Sequence, residues 1–478
     1  MNVPYDGHRR QLLILALTAM VGFSSLVSAS ELMYDVHPVD TSFTGAIEVA
    51  LADVDLDGDM DLAAVGWDGN LAAWFENDGN QQFTRHDLDS PAGPRSIVMV
   101  GPDGETLDLD GDGDGDILLA APSSNHVVWY ENDGAQAFAM HVVDAALPGA
   151  HTVVPGDLDL DGDLDLAATG DTSCWYENDG AQNFTRHDLA SYSTLGCCVQ
   201  VTDMDHDGDL DIFEVHEGTD VNLIWWENDG AANFTRHDVS SSYNNAHTGF
   251  AQDVDQDGDV DLVTCAYGPA NICWWENDGA MGFTKITVGS GVGYPFWSEA
   301  VDLDQDGDND ILCAASARGS FWYENDGSQN FTRRSVNGSL SGAFCARPGD
   351  IDGDGDLDVV ECSRAQATVN WSENVTAVSV DEGAADEGLP RPTMVRLEAA
   401  PNPFNPRTVI RYELPESCAV CLEVWDVSGR RVACLDQGER AAGGHSVVWE
   451  PRNLPSGTYS CRLTSGSRVV TRKVMLLK

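Results

Sequence analysis

One nine-residue acidic pattern recurs seven times in this chain of 478 residues: Asp-x-Asp-x-Asp-Gly-Asp-x-Asp, beginning at Asp53, Asp108, Asp157, Asp203, Asp253, Asp302 and Asp350. Successive copies start 55, 49, 46, 50, 49 and 48 residues apart. A period of that size held through seven copies restricts the fold to an array of like units, none able to bury its apolar face alone. The residues after the copies are apolar (Leu62, Ile117, Leu166, Ile212, Leu262, Ile311 and Val359), so each unit continues as a strand.

Acids at alternate positions around a glycine point to a hard cation. Ca2+ takes about six to eight oxygen ligands at roughly 2.3–2.6 Å. In the first loop Asp53, Asp55, Asp57 and Asp61 offer side-chain oxygens, and Asp59 stands where a backbone carbonyl turns inward. The next two loops repeat this with Asp108, Asp110, Asp112, Asp114 and Asp116, then Asp157, Asp159, Asp161, Asp163 and Asp165. The fourth and fifth use Asp203, Asp205, Asp207, Asp209 and Asp211, then Asp253, Asp255, Asp257, Asp259 and Asp261. The last two use Asp302, Asp304, Asp306, Asp308 and Asp310, then Asp350, Asp352, Asp354, Asp356 and Asp358. All thirty-five are Asp, and no distal Glu of an EF-hand follows. Gly58 and its equivalents permit the left-handed backbone that wraps a chain around an ion. Without a cation, five carboxylates so close would repel one another. A solvated acidic turn is the plain alternative for one copy, and seven copies argue against it. Up to seven structural calcium ions are expected.

Two further markers complete the repeat. Trp74-Phe-Glu-Asn-Asp-Gly79 and Trp129-Tyr-Glu-Asn-Asp-Gly134 have relatives marked at Trp175, Trp226, Trp275 and Trp322, and a worn copy at Trp371. An aromatic strand running into Asn-Asp-Gly is a hairpin signal. Phe83-Thr-Arg-His-Asp-Leu88 follows, with relatives at Phe138, Phe184, Phe234, Phe283 and Phe331, and a displaced copy in Met33–Val39. Four strands per unit and seven units predict an all-β fold, a seven-bladed β-propeller over 30–374. The displaced first strand is expected to complete the seventh blade and leave no open edge. Over about Leu32 to Asn374 the repeat resembles the FG-GAP/VCBS family, whose calcium-loop blades also build integrin α-subunit propellers. The Phe-Gly and Gly-Ala-Pro signatures are mostly absent, so the likeness is to the bacterial VCBS-like branch.

At the N-terminus His8-Arg9-Arg10, an apolar run from Leu12 to Val27 and Val27-Ser-Ala29 read as a signal peptide over 1–29. That run is short for a membrane span, and none other is expected. Residues 375–392 are acidic and poor in aromatics, as in a flexible linker. Beyond it, residues 393–478 hold 12 Lys+Arg against 8 Asp+Glu, in a chain whose net charge is −54. About seven short strands there predict a small Ig-like β-sandwich. Pro401-Asn-Pro-Phe-Asn-Pro406, Asp426-Val-Ser-Gly-Arg-Arg431, Leu454-Pro-Ser-Gly-Thr-Tyr459 and Arg472-Lys-Val-Met-Leu-Leu-Lys478 resemble a type IX secretion C-terminal sorting domain, related to the FlgD-like immunoglobulin fold. The resemblance implies a two-membrane bacterium, the type IX machinery as a partner, and delivery to the outer surface or medium. An ordinary carbohydrate-associated Ig module is the alternative.

Twelve cysteines in an exported chain can be oxidised. Cys265–Cys273, Cys345–Cys362 and Cys421–Cys434 are the disulfides expected from their places around turns and loops. Neither zinc nor redox spacing is evident.

There is no Walker loop, Gly-x-Ser-x-Gly or His-Glu-x-x-His. Strong negative charge argues against nucleic acid and anionic membranes as partners. His86, His187 and His237 share one repeated place and read as a polar blade edge; the repeated tryptophans read as core. Strand order places the acid loops and Asn-Asp-Gly turns on one face of the ring. The connections of the other face vary, and loops on a rigid ring are where recognition usually sits. Trp67, Arg95, His151, His247, Tyr267, Trp297, Arg318 and Arg364 are the candidate ligand residues there, with His216, Phe296 and Arg347 on the same variable face. An extracellular glycan or protein ligand is expected, bound by a monomer acting in adhesion or recognition. The alternative is a polysaccharide-degrading lyase or hydrolase. An enzyme should gather acid, base and Arg or Lys in one pocket that breaks the sevenfold pattern; the variable residues look scattered, which favours binding without catalysis.

Overall fold

The computed structural model describes residues 32–375, except 103, 105 and 219–221. It also describes 396–476, except 401–406, 415–417, 427–429, 441–442, 450, 452–453, 455–456 and 466–467. The expected signal peptide, nearly all of the expected linker and the Pro401–Pro406 motif lie outside these residues. The described residues form two compact units.

In the first unit each repeat becomes one four-stranded antiparallel sheet, and there are seven such sheets. Blade one pairs Ala46–Ala52, Asp61–Gly66, Leu71–Asn77 and Phe83–Leu88 in chain order. The innermost strands of blades two to seven are Ser96–Val98, Thr152–Gly156, Gly196–Thr202, Ala246–Gln252, Pro295–Val301 and Ala343–Gly349. The second strand of a blade is apolar on both faces because blades stack on either side of it. Trp74 of blade one, for example, packs with Ile97, Val128 and Tyr130 of blade two. Blade seven takes its outermost strand from the start of the chain: Tyr34–Asp40 pairs antiparallel with Thr368–Asn374. Asn77 Nδ2 also donates to the Ile351 carbonyl at 3.4 Å, joining blade one to blade seven. The fold is a seven-bladed β-propeller whose last blade is built from both ends of the repeat array.

The repeated Trp marker is one residue earlier than read in two blades. Trp225 and Trp274, not Trp226 and Trp275, occupy the place of Trp74, directly opposite residues 237 and 286 of the outermost strand. At that place His86 stacks on Trp74 with ring centres 4.5 Å apart, and its Nε2 lies 2.9 Å from Glu76 Oε2. The same trio recurs as Trp129–His141–Glu131, Trp175–His187–Glu177, Trp225–His237–Glu227 and Trp371–His37–Glu373. Two buried acids add clasps between blades. Glu214 accepts from Ser173 Oγ of blade three at 2.7 Å, and Glu361 accepts from Ser320 Oγ and Asn337 Nδ2 of blade six.

Two of the expected disulfides do not form. Cys265 and Cys273 point to opposite faces of their sheet, because register pairs Cys265 with Ile272 and Thr264 with Cys273. Cys345 and Cys362 do pair across neighbouring strands, but both are buried thiols. Cys421 pairs in register with Gln437, while Cys434 pairs with Glu423; the Cys434 side chain is outside the described residues.

The second unit is a sandwich of two sheets. One orders Arg396–Ala400, Thr408–Leu414 and Gly443–Trp449; the other orders Arg431–Arg440, Cys418–Asp426, Gly457–Ser465 and Arg468–Leu476. Ile410, Tyr412 and Trp449 from the first meet Leu422, Val424, Tyr459 and Leu463 from the second in its core. No helix among the described residues is long and apolar enough to cross a membrane.

Candidate metal loops and axial site

Each acid loop sits between the innermost and second strands of its blade and is folded by its own carboxylates. In the first, Asp53 Oδ1 accepts from Asp57 N and its Oδ2 from Gly58 N, both at 3.0 Å. Asp55 Oδ1 accepts from Asp57 N, and Asp57 Oδ1 from Asp59 N. Two residues per loop are left-handed, here Leu56 at φ 59° and Gly58 at φ 100°. The first is a glycine only in the second and seventh loops (Gly111 and Gly353), so the sequence pattern marks just one of the two turns.

The ninth-position Asp has a second task. Asp61 is fully buried; its Oδ2 accepts from Val54 N at 3.1 Å and its Oδ1 from Asn77 N at 2.8 Å. Asp116, Asp165, Asp211, Asp261, Asp310 and Asp358 make the equivalent pairs. Burial penalises their charge, pushing Asp61 and Asp310 up to about 8, Asp116, Asp165 and Asp211 to about 7, and Asp261 to about 6. The seventh-position side chain turns away: Asp59 lies against Gly79 of the Asn-Asp-Gly turn, as Asp114 does against Gly134. That leaves the backbone at this place for any ion.

Carboxylate oxygens converge within each loop. Atoms of Asp53, Asp55 and Asp57 lie within 4.8 Å of one another, as do those of Asp108, Asp110 and Asp116, of Asp157, Asp159 and Asp165, and of Asp203, Asp205 and Asp211. The residues fit a cation on a further ground. Oδ1 of Asp157, Asp203, Asp253 and Asp302 is buried and accepts no hydrogen bond, although Oδ2 of the same carboxylate takes the loop glycine N–H. A buried carboxylate oxygen without a donor is costly unless a positive charge faces it. The Asp clusters are candidate metal sites in the repeats.

The variable face gathers at the axis. In five innermost strands a bulge follows the first residue, as between Ala46 and Glu48, and sets one extra residue out of register. Those residues are Ile47, Cys197, His247, Phe296 and Phe344, and Arg95 and His151 occupy the same place just ahead of their strands. Arg95 Nε donates to His151 Nε2 at 3.2 Å, and Arg95 Nη2 lies 3.1 Å from His247 Nε2. Blades two and five do not adjoin, so the second bond crosses the axis of the ring. A guanidinium only donates, so both Nε2 atoms accept, and each Nδ1–H donates to a carbonyl: His151 to Cys197 at 2.9 Å, His247 to Phe296 at 3.0 Å. Both imidazoles are neutral. Burial, reinforced by the Arg95 charge, drives His151 well below its usual range and His247 down to about 3.

Around this cation stand Phe296 and Phe344, stacked at 4.1 Å, and the Arg95 guanidinium lies over the Phe344 ring. Tyr267 lies 5.9 Å from Phe296, and burial, followed by the charge of nearby Glu217, pushes its phenol up. Burial pushes Glu48 up to about 7 despite the nearby charges of Arg95 and Arg347. One layer further along the axis Arg347 donates to Glu299 at 3.2 Å and lies over the Trp297 and Phe250 rings.

Of the eight candidate ligand residues, Arg95, His151 and His247 thus form one cluster, with Tyr267 at its edge. Trp297 is only 6% exposed and packs beneath Arg347, so it offers no open face for stacking. Arg364 is held by both carboxylate oxygens of Asp68 at 2.8 Å each, and Trp67 is half-buried beside them in sequence. Arg318 is exposed and is not among the residues that line the pit around Arg95. Glu48, Ser96, Cys197, Glu217 and Phe344 were missed; aligning the second place of the seven innermost strands would have found Cys197 and Phe344. Two grooves open elsewhere, between blades three and four and between blades seven and one, of about 650 and 490 Å3. Both are floored by the Trp–His–Glu trio.

Fold and loops define a class: a repeat propeller with an acid loop in every blade. Residues 108–168, 203–264, 253–313 and 302–361 match the FG-GAP-like repeat, each match opening on the first Asp of a loop. Residues 399–477 match the secretion system C-terminal sorting domain. The chain carries FG-GAP-like repeats on this propeller and a type IX sorting tail, which marks it for the cell surface or for secretion. No curated protein matches it.

Proposed function

We propose that this is a calcium-stabilised recognition propeller, which the type IX system delivers to the cell surface or medium and which binds an extracellular glycan at the axial site opposite the acid loops. The observation that carries the reading is the Arg95–His151–His247 cluster, assembled from three blades at the place where the sevenfold pattern breaks. Calcium rests on the carboxylate oxygens that lack donors. Seven ions bound only to the folded chain would stabilise it by mass action, even at affinities of roughly 10⁻⁴–10⁻³ M. The ligand rests on the aromatic rim, which suits a ring-shaped or apolar body.

A polysaccharide-degrading activity is the second reading, favoured by the gathering of Arg95, two histidines, Glu48 and Glu217 in one non-repeated place. Both imidazoles are occupied by Arg95 and neither is placed to take a proton, so recognition is the better supported of the two.

A glycan-array and polysaccharide-cleavage screen with calcium present tests both. Binding that falls at least tenfold in Tyr267→Ala and persists in Asn233→Trp, which blocks the groove between blades three and four, supports the axial reading. The reverse pattern moves the site to the acid-loop side. Cleaved product would make the protein an enzyme. A melting curve unchanged by excess chelator would remove calcium from the account.

A further inference from the structure

Arg95 is a buried cation without an acid bonded to it. It is 9% exposed, its Nε and Nη2 are spent on two neutral imidazoles, and Nη1 makes no hydrogen bond among the described residues. Glu48 and Glu217 feel its charge, but neither hydrogen-bonds it. Guanidinium groups are normally buried against a carboxylate or phosphate that meets them in a fork. The two histidines hold the group in place, and Glu48, which lines the pit around it and which burial raises to about 7, offsets its charge only in part.

The same small pit is lined by Ser96, whose Oγ is buried (1% exposed) and has no partner. It has a cavity volume of about 40 Å3. A water needs roughly 10–15 Å3 of such space, and pockets for whole small ligands run to about 300 Å3 or more. The pit therefore holds one small polar group and no sugar ring. Phe296 and Phe344 at its edge give the remainder of a ligand a flat apolar surface.

We infer that the pit takes a single carboxylate, held by Arg95 and Ser96 and carried by the terminal acidic sugar of a glycan. The inference rests on the axial recognition reading and names its ligand chemistry. A guanidinium edge and a hydroxyl supply donors to both carboxylate oxygens, and burial strengthens each bond. The chain's net charge of −54 selects among acidic glycans. A polyanion would meet repulsion along its length, whereas one terminal acid on a neutral body is drawn to a buried cation that no acid bonds. The neutral histidines fit this role, since charged imidazoles beside Arg95 would repel it, and as acceptors they orient it.

The test uses the full chain with calcium and saturation-transfer NMR on D-glucuronate, D-glucose and N-acetyl-L-aspartate. Signal on glucuronate alone is expected, reduced at least tenfold in Arg95→Gln and unchanged in Arg318→Gln. Should Arg95→Gln not fold, Ser96→Val fills the pit with methyl groups and must give the same loss. Equal signals from glucose and glucuronate, both surviving Arg95→Gln, would overturn carboxylate reading; if that common signal still falls in Tyr267→Ala, the broader axial reading survives. Signal on aspartate alone would overturn the glycan assignment in favour of a peptide carboxylate. No signal from any of the three would overturn the inference.

Discussion

Asp61 Oδ1 accepts the backbone N–H of Asn77 at 2.8 Å, and this bond ties the last residue of the acid loop to the first Asn of the Asn-Asp-Gly turn. The two sequence markers recur together because they are halves of one structure. The turn keeps its place in the blade only while the loop carboxylate holds it, and Asn77 Nδ2 extends the tie to the Met60 carbonyl at 3.1 Å.

The ninth Asp should therefore differ from the third when each is replaced. Asp61→Asn removes an acceptor from one of two buried N–H donors, at a cost of about 1–3 kcal/mol. That loss should appear as a lower melting temperature both with calcium and in excess chelator. Asp55→Asn removes one charge from the converging carboxylates while its Oδ1 can still accept from Asp57 N, so its loss should vanish in chelator. Equal behaviour of the two variants would show that Asp61 is an ordinary ligand and not a clamp.

Gly79→Ala should disable the first loop from outside it. Gly79 sits at φ 71°, and a Cβ there would collide with Asp59 Oδ2. A left-handed alanine alone costs roughly 1–2 kcal/mol. Relief of the clash moves Asp59, whose backbone faces the candidate ion. Calcium titration by calorimetry should lose one site of the full set. A full set with unchanged affinity would mean that the loop and the turn are independent.

The propeller was legible in the sequence because its information is repeated: period, acid loop and Trp strand each recur in every blade, so wear in one copy is corrected by the others. The axial site was not legible for the opposite reason. Its inner ring takes one residue from each blade, about fifty positions apart. Reading the connections for large aromatic and charged residues favoured Trp297 over Phe296. A one-residue step changes which way a strand residue points, so Phe296 reaches the axis and Trp297 enters the core. Arg364 looked equally available, and only the fold brings Asp68 from the other end of the array to hold it.

Glu361 should make stability depend on pH. Burial outweighs its three hydrogen-bond donors and raises it from 4.5 to about 7. A carboxyl raised on folding binds its proton more tightly in the folded state. Its contribution is complete below about pH 4.5 and is lost as pH rises through about 7. The difference is about 3 kcal/mol at most. Glu361→Gln keeps the site neutral, with its amide hydrogen-bonding Ser320 and Asn337. Its melting temperature relative to the parent chain should rise between pH 5 and pH 8. A constant difference across that range would show that Glu361 stays charged at its blade junction.

The C-terminal sandwich should act as an address and not as part of the recognition site. It has its own core around Tyr412, Leu422 and Leu463, and its match to the sorting domain spans nearly all of it. Every residue of the axial site lies in the propeller, whose last blade closes by pairing Thr368–Asn374 with Tyr34–Asp40. Removal of residues 393–478 should leave a propeller that melts and binds calcium as the parent does, while in the native host the truncated chain stops in the periplasm. Fractionation and calorimetry read the two halves of this expectation separately. Normal surface delivery of the truncated chain would remove the sorting role; loss of the calcium-dependent melting transition would show that the propeller needs its tail to fold.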